Sequence, residues 1–255
     1  MKTLYFLDMF YPGDEKELRS MCTVTPKEGH TPSLMLLPHA GLEYVAPMYQ
    51  EAFSLIHNPK RIVILCPIHG ERLEEDGRTS LFTLSPGDVE SPLGPVHIES
   101  VPGVKVQDAY AEAEYSLELF YPNIALDSPA STVLPLFTAL ETKEDIQGLS
   151  RLMTKLKKDE NDSLFIICGN FTELGRSEEV NRMARTLNEL LENNAPLLEA
   201  GSHHRISGCA YRLLEAARTA FPGSFRLVLA RSGDYLGECI SNEADGRIWQ
   251  VFGVK

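Results

Sequence analysis

No two cysteines of this chain stand as C-x-x-C; the five, Cys22, Cys66, Cys168, Cys209 and Cys239, are odd in number and widely scattered. That spacing excludes a zinc ribbon or a dithiol redox motif and predicts reduced thiols without a structural disulfide. Positive charge is also scarce: 24 Lys and Arg stand against 36 Asp and Glu, a formal net charge of -12. Such a balance argues against a nucleic-acid backbone or an anionic membrane surface as partner, because both select clustered cations. The one short basic cluster, Lys155, Lys157 and Lys158, reads as a solvated helix end. No apolar run approaches the roughly 20 residues that a bilayer span requires. The opening apolar run is too short, and is broken too early by Asp8, to form a signal peptide. A cytoplasmic protein with no nucleic-acid or membrane partner is expected. Glycines near Gly169 and Gly175 are too sparse for a dinucleotide fingerprint or a P-loop, and no G-x-S-x-G elbow occurs.

What the chain does contain is alternation. Apolar runs rich in leucine and β-branched residues recur at 34–37, 61–66, 132–137, 164–168 and 225–230, each short enough to be a strand buried on both faces. Between them, helical periodicity marks 44–56, 108–120, 143–157, 177–191 and 207–221, with Ser207 a candidate N-cap. Segments 80–84 and 95–99 flank turn-rich residues and predict a hairpin or meander, and 247–254 predicts a last strand. The pattern gives an α/β fold, a single layered domain over 1–255 with a central mostly parallel or mixed sheet flanked by helices.

Two strands end alike. The run 34–37 passes into Pro38-His39-Ala40-Gly41, and the run 61–66 into Pro67-Ile68-His69-Gly70. Ligand sites of open α/β sheets lie outside the carboxyl ends of strands, so His39 and His69 are candidate metal ligands; the plainer reading has each imidazole bonding a loop carbonyl. A third strand end, 164–168, leads into Gly169-Asn170-Phe171-Thr172-Glu173. Glu173 is the candidate that completes a two-histidine, one-carboxylate set of the kind that holds non-haem iron, or else an acid that starts the following helix. Glu114 and Glu118 are four residues apart and share a face if 108–120 is one helix, most simply a solvated one. His203 and His204, being adjacent, make a poor chelating pair.

Taken in order, several segments resemble the Memo family, including the bacterial proteins called AmmeMemoRadiSam system protein B. Phe10-Tyr11-Pro12 is similar to the family's FYP opening, Pro38-His39-Ala40-Gly41-Leu42-Glu43-Tyr44 to P-H-A-G-x-x-Y, and Cys66-Pro67-Ile68-His69 to G-P-S-H. Ser91-Pro92-Leu93-Gly94 is similar to T-P-L-G, Glu114-Tyr115-Ser116-Leu117-Glu118 to E-H-S-x-E, and Ser232-Gly233-Asp234 with the final strand fits the expected end.

The resemblance implies a fold like the catalytic subunit of class III extradiol dioxygenases, with a metal-capable pocket lined by the two strand-end histidines and a later cysteine of a C-G motif. His39 and His69 match the first two. At the third place Ile206-Ser207-Gly208 overlays I-C-G and puts Ser207 where the cysteine belongs, whereas an ungapped count back from Leu213-Leu214 puts Arg205 there; Cys209 matches under neither. Tyr115 replaces the histidine of E-H-S-x-E. Asn170 and Glu173 replace the aspartate and histidine of S-D-F-x-H. The resemblance carries the scaffold over these changes but does not by itself carry dioxygenase turnover. The expected function is a small-molecule or metal-binding pocket with a divalent metal such as iron, or with none, lined by His39, His69, Tyr115, Asn170, Glu173 and Ser207. An active metal-dependent oxidoreductase on a catechol-like substrate is one alternative. A scaffold that holds a peptide or partner in the cleft is the other.

Overall fold

In the computed structural model, residues 2–160, 162–170, 172, 174–223, 225–234 and 245–254 are described, with 231–234 and 245–254 known by their backbone. Helix α1 (Glu15–Cys22) precedes strand β1 (Leu34–Leu37), helix α2 (Leu42–Phe53) and strand β2 (Arg61–Pro67). Four short strands follow: β3 (Leu81–Thr83), β4 (Gly87–Ser91), β5 (Gly94–Ile98) and β6 (Lys105–Val106). Helices α3 (Ala109–Ala113), α4 (Tyr115–Glu118) and α5 (Tyr121–Asp127) lead into β7 (Thr132–Thr138), α6 (Lys143–Asp159) and β8 (Ser163–Cys168). The chain continues through β9 (Gly175–Arg176), α7 (Ser177–Glu192), α8 (Leu198–Ser202), α9 (Tyr211–Ala220), β10 (Arg226–Asp234) and β11 (Asp245–Val254).

The central strands run β1-β8-β2-β7, all parallel; beyond β1 lie β11, antiparallel to β1, and β10, antiparallel to β11, and beyond β7 lies β3, antiparallel to β7. The sheet is mostly parallel and open, as expected, and alternation along each strand feeds a core on either face. Met35, Leu37, Ile62, Ile64, Leu164 and Ile166 pack with α1, α2 and α5. Leu34, Leu36, Val63, Leu65, Phe165 and Ile167 pack with α6, α9 and the buried end of α7. Helix α6 starts on a capping box, in which the Thr142 hydroxyl accepts from the Asp145 amide at 3.1 Å and the Asp145 carboxylate accepts from the Thr142 amide at 2.8 Å. Lys157 and Lys158 in its last turn complement the carbonyl end of the helix dipole.

Three expectations change. The hairpin is β4–β5, with Ser91 opposite Gly94, while β3 pairs with β7 and β6. The segment 108–120 is not one helix: Glu114 is extended (φ -122°, ψ 100°) between α3 and α4, its carboxylate capping the Ser116 amide. The last long helix begins at Tyr211, not at Ser207, which therefore caps nothing there. The Ser207 hydroxyl instead donates to Met183 Sδ at 3.1 Å, and Gly208 turns the chain at φ 104°. Among the described residues Cys22, Cys66, Cys168 and Cys209 are unpaired, and no helix is long and apolar enough to cross a membrane. Cys239 lies outside the described residues.

Asp127, at the end of α5, carries a pH signature. Burial pushes its carboxyl up to about 6, outweighing a lowering hydrogen bond with Asn123, and its Oδ2 finds no partner. A carboxyl whose folded value is raised favours folding only while protonated, so its contribution is full below the unfolded value near 3.9 and lost as pH rises through about 6. Asp127→Asn is expected to stabilise the protein at pH 7.5 by no more than about 2 kcal/mol, after solvent screening, and to lose that advantage toward pH 4.5. Urea denaturation at the two pH values checks this; a pH-independent difference would refute it.

Candidate metal centre

Strand β8 lies between β1 and β2, with Leu37 beside Cys168 and Leu65 beside Ile167. The residues just past β1 and β2 therefore flank the end of β8, and there the two histidines meet. Their ring centroids are 4.7 Å apart at 73°, with His39 buried and His69 about one-third exposed at its side chain. The third group is Cys209. Its sulfur lies 3.3 Å from His39 Nε2, and His39, His69 and Cys209 offer ligand atoms all within 4.8 Å of one another.

Each of the three is held from behind. His69 Nδ1 lies 2.8 Å from Glu114 Oε2, which also accepts the His69 amide at 3.0 Å, leaving Nε2 toward the centre. Glu114 is buried, so these contacts and the Ser116 amide at 3.1 Å supply the donors that a buried carboxylate requires. Burial alone would depress the His69 imidazole, but contacts with Cys209 and Glu114 outweigh it and hold the pKa at about 10. His39 Nδ1 lies 3.4 Å from Cys168 Sγ, whose thiol is held well above its ordinary value, first by burial and then by Cys66. Asn170 ties the set together: its side-chain amide donates to the His39 carbonyl at 3.0 Å and its backbone N–H to Cys209 Sγ at 3.3 Å. Tyr115 forms the wall, 5.4 Å from the His39 ring, stacked at 5.9 Å on His69 and at 4.1 Å on Phe10.

His39, His69, Tyr115 and Asn170 thus gather at one point. The Ser207 hydroxyl donates to Met183 Sδ, and Cys209, two residues on, is the group that stands with the two histidines. Glu173 lies outside the described residues, and the third candidate ligand among the described ones is the Cys209 thiol. The Glu114–Glu118 pair is not a solvated face, since both are buried; Glu118 accepts the Tyr5 and Phe6 amides at 2.9 Å and the Tyr11 hydroxyl at 2.7 Å. Sequence reasoning missed Cys209, Cys168 and the Glu114–His69 contact. The available signal was Cys209 itself, the one cysteine between Gly169 and the last long helix.

A ligand set of two imidazoles and a thiol at the carboxyl edge of an open parallel sheet defines a metal-capable α/β protein. The chain belongs to the Memo family: the pattern described as Memo-like protein matches residues 8–212. It is similar to a MEMO1 family protein of Aquifex aeolicus (strain VF5), 27% identical over 216 residues and covering 78% of each chain. Among solved structures it is similar to an uncharacterised protein of Escherichia coli K12 at 12% identity and a TM-score of 0.45, covering 87% of this chain and 99% of that one.

Proposed function

We propose that this chain is a metal-binding member of the Memo family, holding one ion through His39 Nε2, His69 Nε2 and Cys209 Sγ with at least one coordination position open to a small molecule. The observation that carries this reading is the convergence of three ligand atoms within 4.8 Å. A tetrahedral ion with bonds of about 2.0–2.1 Å to nitrogen and about 2.3 Å to sulfur separates its ligands by about 3.3–3.6 Å, so only small side-chain shifts close the set. The donor set is softer than the two-histidine, one-carboxylate set that the sequence suggested. Thiolate with imidazole suits zinc, copper or iron and disfavours magnesium or calcium. The ion would act there as a Lewis acid toward a bound oxygen donor. The chain's own part is to present both imidazoles with Nε2 inward: Glu114 fixes the ring of His69 and Cys168 that of His39.

The test is metal analysis of protein purified without a His tag, followed by titration with zinc. One equivalent per chain is expected, with binding abolished in His39→Ala and weakened roughly 10- to 100-fold in Glu114→Ala, the range for loss of a residue that orients a ligand. Equal affinity in all three proteins would show that the histidines are structural and end the metal reading.

A further inference from the structure

Strands β2 and β7 end side by side, Pro67 in register with Thr138, and their carboxyl edge opens into a cleft of about 250 Å³. Pro67, Ile68 and Leu213 give it apolar wall, Cys209 joins it to the three-ligand group, and Arg72 and Arg212 both line it. Arg72 donates through Nη1 to Glu141 at 3.2 Å and through Nη2 to the carbonyls of Gly77 and Thr79, while its Nε is buried without a hydrogen bond. Arg212 donates through Nη1 to the Leu140 carbonyl at 3.2 Å. The two cations are therefore fastened to adjacent residues, Leu140 and Glu141, in a chain whose net charge is -12. Glu141, the carboxylate that lines the cleft with them, is turned largely to solvent, its side chain 68% exposed. Like charges held together repel, and a water-screened carboxylate offsets little of that. Guanidinium stays protonated, and its planar fork matches carboxylate and phosphate oxygens.

We propose that this cleft binds a small organic acid through a terminal oxyanion, carboxylate or phosphate, held by Arg212 and Arg72, with its apolar body along Pro67, Ile68 and Leu213 and its far end toward Cys209. Only the last clause rests on the metal reading. The volume, below that of sites for drug-sized ligands, suits a body of about one ring.

The experiment titrates the full chain, as purified and again after chelation, with benzoate, phenyl phosphate and uncharged benzamide, followed by ligand-observed NMR. At least one of the two anions is expected to bind more tightly than benzamide, and to lose roughly tenfold or more in Arg212→Gln, the loss expected of a charge-assisted hydrogen bond. Benzamide should bind wild type and variant alike. Arg212 is exposed, so its loss leaves the core intact; Arg72→Gln repeats the measurement from the other side. Preference for benzoate assigns a carboxylate, and preference for phenyl phosphate a phosphate. The proposal fails if neither anion exceeds benzamide, or if Arg212→Gln leaves the anion affinity unchanged. Because the chelated protein is titrated too, a failed metal reading leaves this outcome readable.

Discussion

Cys209→Ser is expected to weaken metal binding by roughly 100-fold or more, while Ser207→Ala leaves it unchanged, because losing a ligand costs more than losing a residue that orients one. The thiolate is the soft member of the set, and a serine hydroxyl at the same place neither ionises near neutral pH nor offers a comparable donor. Position reinforces identity. The Cys209 sulfur already sits 3.3 Å from His39 Nε2 and accepts the Asn170 amide at 3.3 Å, so it is placed before any ion arrives. Ser207 is one of the two positions, with Arg205, that the family resemblance offers for the cysteine, and its hydroxyl donates to Met183 Sδ. Competition between protein and a chromophoric zinc chelator reads both variants; loss of affinity in Ser207→Ala alone would restore the aligned position and remove Cys209 from the centre.

The layered sheet was legible because each central strand is a short apolar run buried on both faces, and burial is written into composition. The strand-end histidines were legible for a similar reason: strand, proline and histidine are neighbours in sequence, so three residues of local geometry place the ring. Cys209 was not, because a loop delivers its side chain by path and not by period. Gly208 at φ 104° and the late start of α9 carry Cys209 to the end of β8, a route that an alignment of positions cannot express. Glu114 was misread in the same way. Its spacing from Glu118 suggests a shared helix face, but one extended residue breaks the helix and turns the carboxylate to His69.

Gly169 is where that loop meets the sheet, and Gly169→Ala is expected to damage fold and site together. A Cβ at Gly169 would overlap that of Ala210, and would also lie 3.4 Å from Ala210 Cα and 3.5 Å from Cys209 Sγ. Neither Ala210 atom is the end of a flexible side chain, so the clash is relieved only by moving the loop. Overpacking of this kind costs typically about 1–3 kcal/mol. A ligand set tolerates displacement of only about 0.5 Å, so the same movement that relieves the clash also draws Cys209 out of reach of the histidines. Lower Tm and weaker zinc binding should therefore appear together in Gly169→Ala. The double variant Gly169→Ala/Ala210→Gly removes the overlapping atom and leaves ordinary van der Waals separations, so both properties should recover in part, a coupling that two independent sites would not show. A Gly169→Ala protein as stable and as metal-avid as wild type, or a double variant no better than the single one, would mean that this close approach does not hold Cys209 in place.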